Sequence, residues 1–147
     1  MARPPELGGS SSENDRPLLQ KLGVKAGARV SLVAFEDPWF RNLLREVTDD
    51  VSTELRADSD LVFYFVRHVA DLFDLPDLRD ALRDEGAIWV LREKGPSRVV
   101  LETDVIDAGK ASGLVDNKIA SFSDTLAAMR LVIPLAGRGE ARRPVRG

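Results

Sequence analysis

Between residues 16 and 136, short apolar and β-branched runs alternate with amphipathic segments, the pattern of a mostly parallel sheet covered by helices. Leu18, Leu19 and Leu22 form one stripe and are followed by Gly23 and Gly27, so a short helix, a stop and a turn are predicted ahead of the first strand. That strand, Arg29 to Phe35, carries Val30, Leu32, Val33 and Ala34 in a nearly continuous apolar run, as a central strand covered on both faces should. Asp37 and Pro38 then predict a helix start. The carboxylate accepts from free amides, and the proline sits where its missing N–H costs nothing. Leu43, Leu44 and Val47 give this helix its buried stripe.

Residues 51–57 fit two periods. Val51, Thr53 and Leu55 alternate as in an edge strand, the preferred reading, while Val47, Val51 and Leu55 recur at helical spacing. A strand here leaves very few residues before the next one, whereas a parallel crossover ordinarily needs about a dozen. "DLVFYFV" at 60–66 predicts a buried strand. Residues 68–86 read as helix, interrupted at Pro76 and terminated by Gly86, and "AIWVLRE" at 87–93 as the next strand. A helix over 102–114 should face inward through Val105, Ile106 and Ala108. "VDNKIASF" and "TLAAMRLVIPL", separated by Ser123 and Asp124, predict an antiparallel hairpin that closes a sheet of about six strands.

Composition narrows the function classes. The chain has 147 residues, 44% hydrophobic and 31% charged, as in a soluble globular protein with one ordinary core. One domain is therefore expected over 16–136, with mobile tails at 1–15 and 137–147 that hold almost nothing to bury. No apolar run approaches the ~20 residues that cross a bilayer, and the start has no apolar stretch of the secretory type, so a cytoplasmic location without membrane contact is expected. With no cysteine and a single histidine, His68, no zinc site, iron–sulfur site or thiol nucleophile is expected; carboxylate-bound magnesium stays open, and no metal is assigned. The net charge is −3, yet residues 137–147 hold four arginines against one glutamate. An acidic body argues against a broad nucleic-acid footprint and leaves only this tail for such contact, or for an acidic protein partner. Oligomeric state is not readable.

In open α/β sheets ligands sit beyond the carboxyl ends of the strands. The candidates there are Glu36, Asp37 and Trp39 after the first strand, Arg67 and His68 after "DLVFYFV", and Glu93, Lys94 and Ser97 after "AIWVLRE". A histidine beside a carboxylate is a residue pair suited to acid–base work, which makes His68 a candidate. Lys94 and Ser97 are suited to an anion, and Trp39 to covering a ligand at the crevice mouth. Phe35 to Trp39 contains no glycine, although the turn after a first strand that cradles a phosphate or cofactor is ordinarily glycine-rich.

The order of these elements resembles a trimmed class I, Rossmann-like methyltransferase: strand, helix, edge strand, "SDLVFYF", "LRDEGAIWV", then the hairpin. More closely, "LLQKLGVKAGARV" at 18–30, "SDLVFYFVR" at 59–67, "AIWVLREK" at 87–94 and "GLVDNKIASFSDT" at 113–125 are similar to an uncharacterised family of small bacterial domains of unknown function. Its pattern has an aromatic, a Ser and a Gly where this chain has Leu126, Ala127 and Ala128. The resemblance implies a methyltransferase-like α/β fold and brings no reaction with it. Under the methyltransferase likeness the cofactor would be S-adenosylmethionine, with Glu54 or Asp58 as the acidic partner of its ribose. The glycine-free turn instead favours a non-catalytic module, without cofactor, that binds a small ligand or a protein. A regulator working through its Arg-rich tail is the remaining alternative.

Overall fold

The computed structural model describes residues 16–137; the tails expected at 1–15 and beyond 137 lie outside the described residues. Twelve elements of chain build one six-stranded sheet and its covering helices. In chain order they include α1 (Arg16–Leu22), β1 (Val30–Val33), α2 (Pro38–Leu44), β2 (Val51–Ser52) and β3 (Ser59–Phe65). A 3-10 helix (Val69–Asp74), α3 (Leu75–Ala81), β4 (Leu82–Glu93), α4 (Glu102–Ala111), β5 (Val115–Ser121) and β6 (Leu126–Val132) follow. A last 3-10 turn spans Leu135–Gly137. The strand order is β2-β1-β3-β4-β6-β5, with the first four strands parallel and β6 antiparallel to both its neighbours. This is the mostly parallel sheet with a closing hairpin that the apolar pattern predicts.

The two-residue period of the strands sorts the core into two layers. Leu61, Phe63, Ala87, Trp89 and Leu91 face α1 and α2, meeting Leu19, Leu22, Phe40, Leu43 and Leu44. Val62, Tyr64, Ile88, Val90, Met129 and Leu131 face the other way, against Leu72, Leu75, Leu78 and Val105. Trp89 is fully buried, and its indole N–H donates to Leu22 O at 2.9 Å, locking β4 to the end of α1. That carbonyl belongs to the last turn of α1, where intrahelical donors run out.

Three sequence expectations are corrected. The second strand is only Val51–Ser52, so it advances about 7 Å, and residues 53–58 suffice to bring the chain back under β1 without a crossover helix. The first strand is regular only over Val30–Val33, because Ala34 turns into the left-handed region at φ 56°. The helix read over 68–86 ends at Ala81; Leu82–Glu85 are strand, and Gly86 lies inside β4. The β3/β4 register jumps from Ser59↔Leu82 to Leu61↔Ala87, so β4 bulges there, and a Cβ on Gly86 would meet Ser59 O at 2.9 Å and Asp60 O at 3.0 Å. Gly86 permits close backbone approach where a helix stop was expected.

At the amino-terminal ends of the strands the polar groups are spent on one another. Ser31 and Ser59 share a hydrogen bond of 2.8 Å, Ser59 also donates to Arg56 O, and the Arg56 amide donates to Ser31 Oγ. The Arg56 guanidinium pairs with Asp50 and donates to Val30 O and Asp50 O, while Arg29 reaches Asp50 at 3.1 Å. Arg56, then Arg29, hold the Asp50 carboxyl below the usual carboxylate range. This network ties down the short return at 53–58, where helix packing is absent.

Candidate functional site

The carboxyl ends of β1, β3 and β4 and the turn before β6 surround a cleft of about 1090 Å³. The left-handed Ala34 shapes its near wall. Reversing the chain there sends the Phe35 side chain back into the core, against the rings of Phe40, Phe65 and Phe122 at 5.5–6.1 Å. Ala34 and Glu36 are left exposed on the cleft. Asp37 is buried and accepts from the Phe40 amide at 3.2 Å, with Pro38 in the first turn of α2, which is the cap its sequence predicts.

The far wall comes from β3 and the 3-10 helix. The Tyr64 hydroxyl shares its one proton between Asp71 O at 2.7 Å and Asp74 Oδ2 at 3.2 Å. Burial, and then the Asp74 carboxylate, push the phenol well above its ordinary range, so it stays a protonated donor at neutral pH. Asp71 accepts the backbone amides of Arg67 at 2.9 Å and His68 at 3.1 Å, the first of which does most to hold its carboxyl below the usual range. The Arg67 guanidinium lies over the Phe65 ring, 4.9 Å from its centroid. Glu93, placed beside Leu126 by the β4/β6 register, completes the rim. The Glu36 and Glu93 side chains make no hydrogen bond or ion pair among the described residues.

Of the residues singled out in the sequence, Glu36, Asp37, Arg67, His68 and Glu93 line this cleft together. Trp39 does not. It is half-buried on α2 against the core layer, its ring 6.4 Å from Phe40, so it forms no lid over the cleft. Lys94 turns to the other side of the hairpin, where its ammonium donates to Ser121 Oγ and Ser123 O at 2.7 Å, and it borders a second cavity of about 540 Å³ with Arg92 and Arg98. Ser97 is exposed and lines neither space. Tyr64, Asp71, Asp74 and Thr125 enter the cleft without having been singled out. The alternation in "DLVFYF" does place Tyr64 at the strand end, but nothing local marks the two aspartates, which read as the polar side of a helix. Among the described residues no group of three His, Asp or Glu side chains is placed to hold a metal ion, and no helix is long and apolar enough to cross a membrane.

Solved structures share this architecture. A SAM-dependent methyltransferase from Aquifex aeolicus superposes with a TM-score of 0.66 at 13% identity, over 90% of this chain and 94% of that one. A putative type 11 methyltransferase from Sulfolobus solfataricus gives 0.60 at 14%, over 91% and 99%. The pyocyanin biosynthetic protein PhzM gives 0.65 at 10%, over 88% of this chain, which spans only 61% of PhzM. At these identities the likeness is one of fold, and it is the methyltransferase-like fold that the element order predicts. No curated protein matches the chain. Residues 19–135 match the family described as "Protein of unknown function (DUF3052)", and the chain belongs to that family.

Proposed function

We propose that the domain holds a small polar ligand, bearing charges of both signs, in the carboxyl-edge cleft and performs no chemistry on it. The observation that carries this reading is the pairing of two uncommitted carboxylates, Glu36 and Glu93, with the Arg67 guanidinium around one cleft. A cationic group meets the former, and an anionic group the latter. The remaining acids support a non-catalytic role. Asp37 caps a helix, Asp71 and Asp74 are tied to backbone amides and to Tyr64, and the phenol is held protonated, so none of them is poised as a base.

A methyltransferase is the second reading, favoured by the fold likeness and by the left-handed turn after β1. Two observations support the reading without a methyl donor: none of residues 51–58, Glu54 and Asp58 included, lines the cleft, and at β1 an alanine carries the turn. Calorimetric titration of the full chain with S-adenosylmethionine separates the readings. The binding-module reading expects no saturable micromolar binding. Micromolar binding that is lost in Glu36→Ala, together with methyl release on incubation with cell extract, would overturn it in favour of the enzyme.

A further inference from the structure

Arg92 follows Ile88 and Val90 on the face of β4 that α4 covers, and its side chain is only 7% exposed. A buried guanidinium needs its five N–H donors satisfied. Here one nitrogen reaches Val100 O at 3.4 Å and another reaches Glu102 at 3.4 Å, both longer than a well-formed bond of 2.7–3.2 Å. Arg92 lines the second cavity, about 540 Å³ in volume, whose other charged walls are Lys94, Arg98 and Glu102. Lys94 is committed to Ser121 and Ser123. One Arg98 guanidinium N–H donates to Gly95 O at 2.8 Å, across a loop that turns at Gly95 with φ 112°. Among the lining residues three cations face one carboxylate, an excess of two positive charges in a space otherwise walled by Gly95, Leu101, Thr103 and Ala127.

We infer that this cavity binds the phosphate monoester group of a small molecule. Such a group carries about −1.5 to −2 at neutral pH and three strong acceptor oxygens, which matches the excess charge. Arg92 is the buried fork that takes two of those oxygens, Arg98 is a second contact from the loop, and Lys94 contributes its field from the hairpin. The space exceeds that of a bare phosphate, and the body of the ligand rests on Leu101 and Ala127. The site is separate from the carboxyl-edge cleft and stands or falls without it.

Titration of the full ¹⁵N-labelled chain with phenyl phosphate, with inorganic phosphate and with sodium chloride at matched ionic strength tests the site. The expected result is a saturable shift of the amides of Arg92, Arg98 and Leu101–Thr103 by phenyl phosphate, weakened about tenfold in Arg92→Gln and about threefold in Arg98→Gln. Glu36→Gln and Arg67→Gln, in the other cleft, should leave it unchanged. Should Arg92→Gln lose its folded spectrum, Arg98→Gln on the exposed loop decides. Ala127→Leu, which narrows the wall, decides too, by losing phenyl phosphate while keeping inorganic phosphate. The absence of a saturable shift, a shift reproduced by chloride, or binding indifferent to Arg98→Gln overturns the site.

Discussion

The two ends of the parallel strands treat charge in opposite ways. At the amino end Arg29, Asp50, Arg56, Ser31 and Ser59 bond to one another and to backbone, and only Arg56 Nε is buried without a partner there among the described residues. At the carboxyl end Glu36, Glu93 and Arg67 stand around a cleft with no such closure. The first arrangement substitutes for the missing crossover helix between β2 and β3. In the second, the Glu36 and Glu93 side chains make no such bonds among the described residues, which is the physical sense in which they are available to a ligand. Polar residues alone do not mark a site; uncommitted ones beside a cavity do.

The contrast can be broken most forcefully at the amino end. Gly86→Ala drives a Cβ into Ser59 O and Asp60 O, both backbone atoms that cannot swing away, and should cost about 2–3 kcal/mol in urea unfolding. Ser31→Ala removes a buried partner of Ser59 and the acceptor of the Arg56 amide, and should cost about 1–2 kcal/mol by the same measurement. A result near zero for both would mean that this end is not the structural one.

These two residues also show what the sequence could and could not say. The strands β1 and β3 are legible because a nearly continuous apolar run suits a parallel strand covered on both faces, and the Asp37–Pro38 cap is legible because its chemistry is local. "LRDEG" at 82–86 reads as the end of a helix, since its residues favour helix and its glycine looks like a stop. Only pairing with the distant Ser59–Leu61 segment makes it strand. Trp39 fails as a lid for the same reason: the direction of its side chain is set by how α2 packs, and residue type does not report that. Five of the eight candidates named at the carboxyl edge do reach one cleft, because the carboxyl-edge rule depends on topology alone.

At the carboxyl end the backbone, more than the charges, should respond. Ala34→Gly relieves a left-handed alanine and should stabilise by about 0.5–1 kcal/mol after the entropy of glycine is counted. Destabilisation would mean that the turn is held by contacts of the methyl group. A weaker effect concerns pH. Asp50 and Asp71 both titrate below their unfolded range, so the stability they contribute is present above about pH 4 and fades as pH falls through their lower folded values. A melting temperature followed from pH 6 to pH 2 should therefore fall on the acid side, and less steeply in Asp50→Asn. An unchanged acid limb in that variant would remove Asp50 from the account.

The smallest effect is the decisive one. The triple variant Glu36→Gln/Arg67→Gln/Glu93→Gln should melt within about 4 °C of the parent, since the two glutamates contribute within about ±0.5 kcal/mol and the exposed Arg67 guanidinium over the Phe65 ring about 0.5–1 kcal/mol. Native mass spectrometry of the two freshly purified proteins then tests the central claim directly. The account predicts a non-covalent small-molecule adduct on the parent that the triple variant lacks at unchanged stability. A melting temperature lowered by more than about 6 °C, an adduct retained by both proteins, or none on the parent would contradict it.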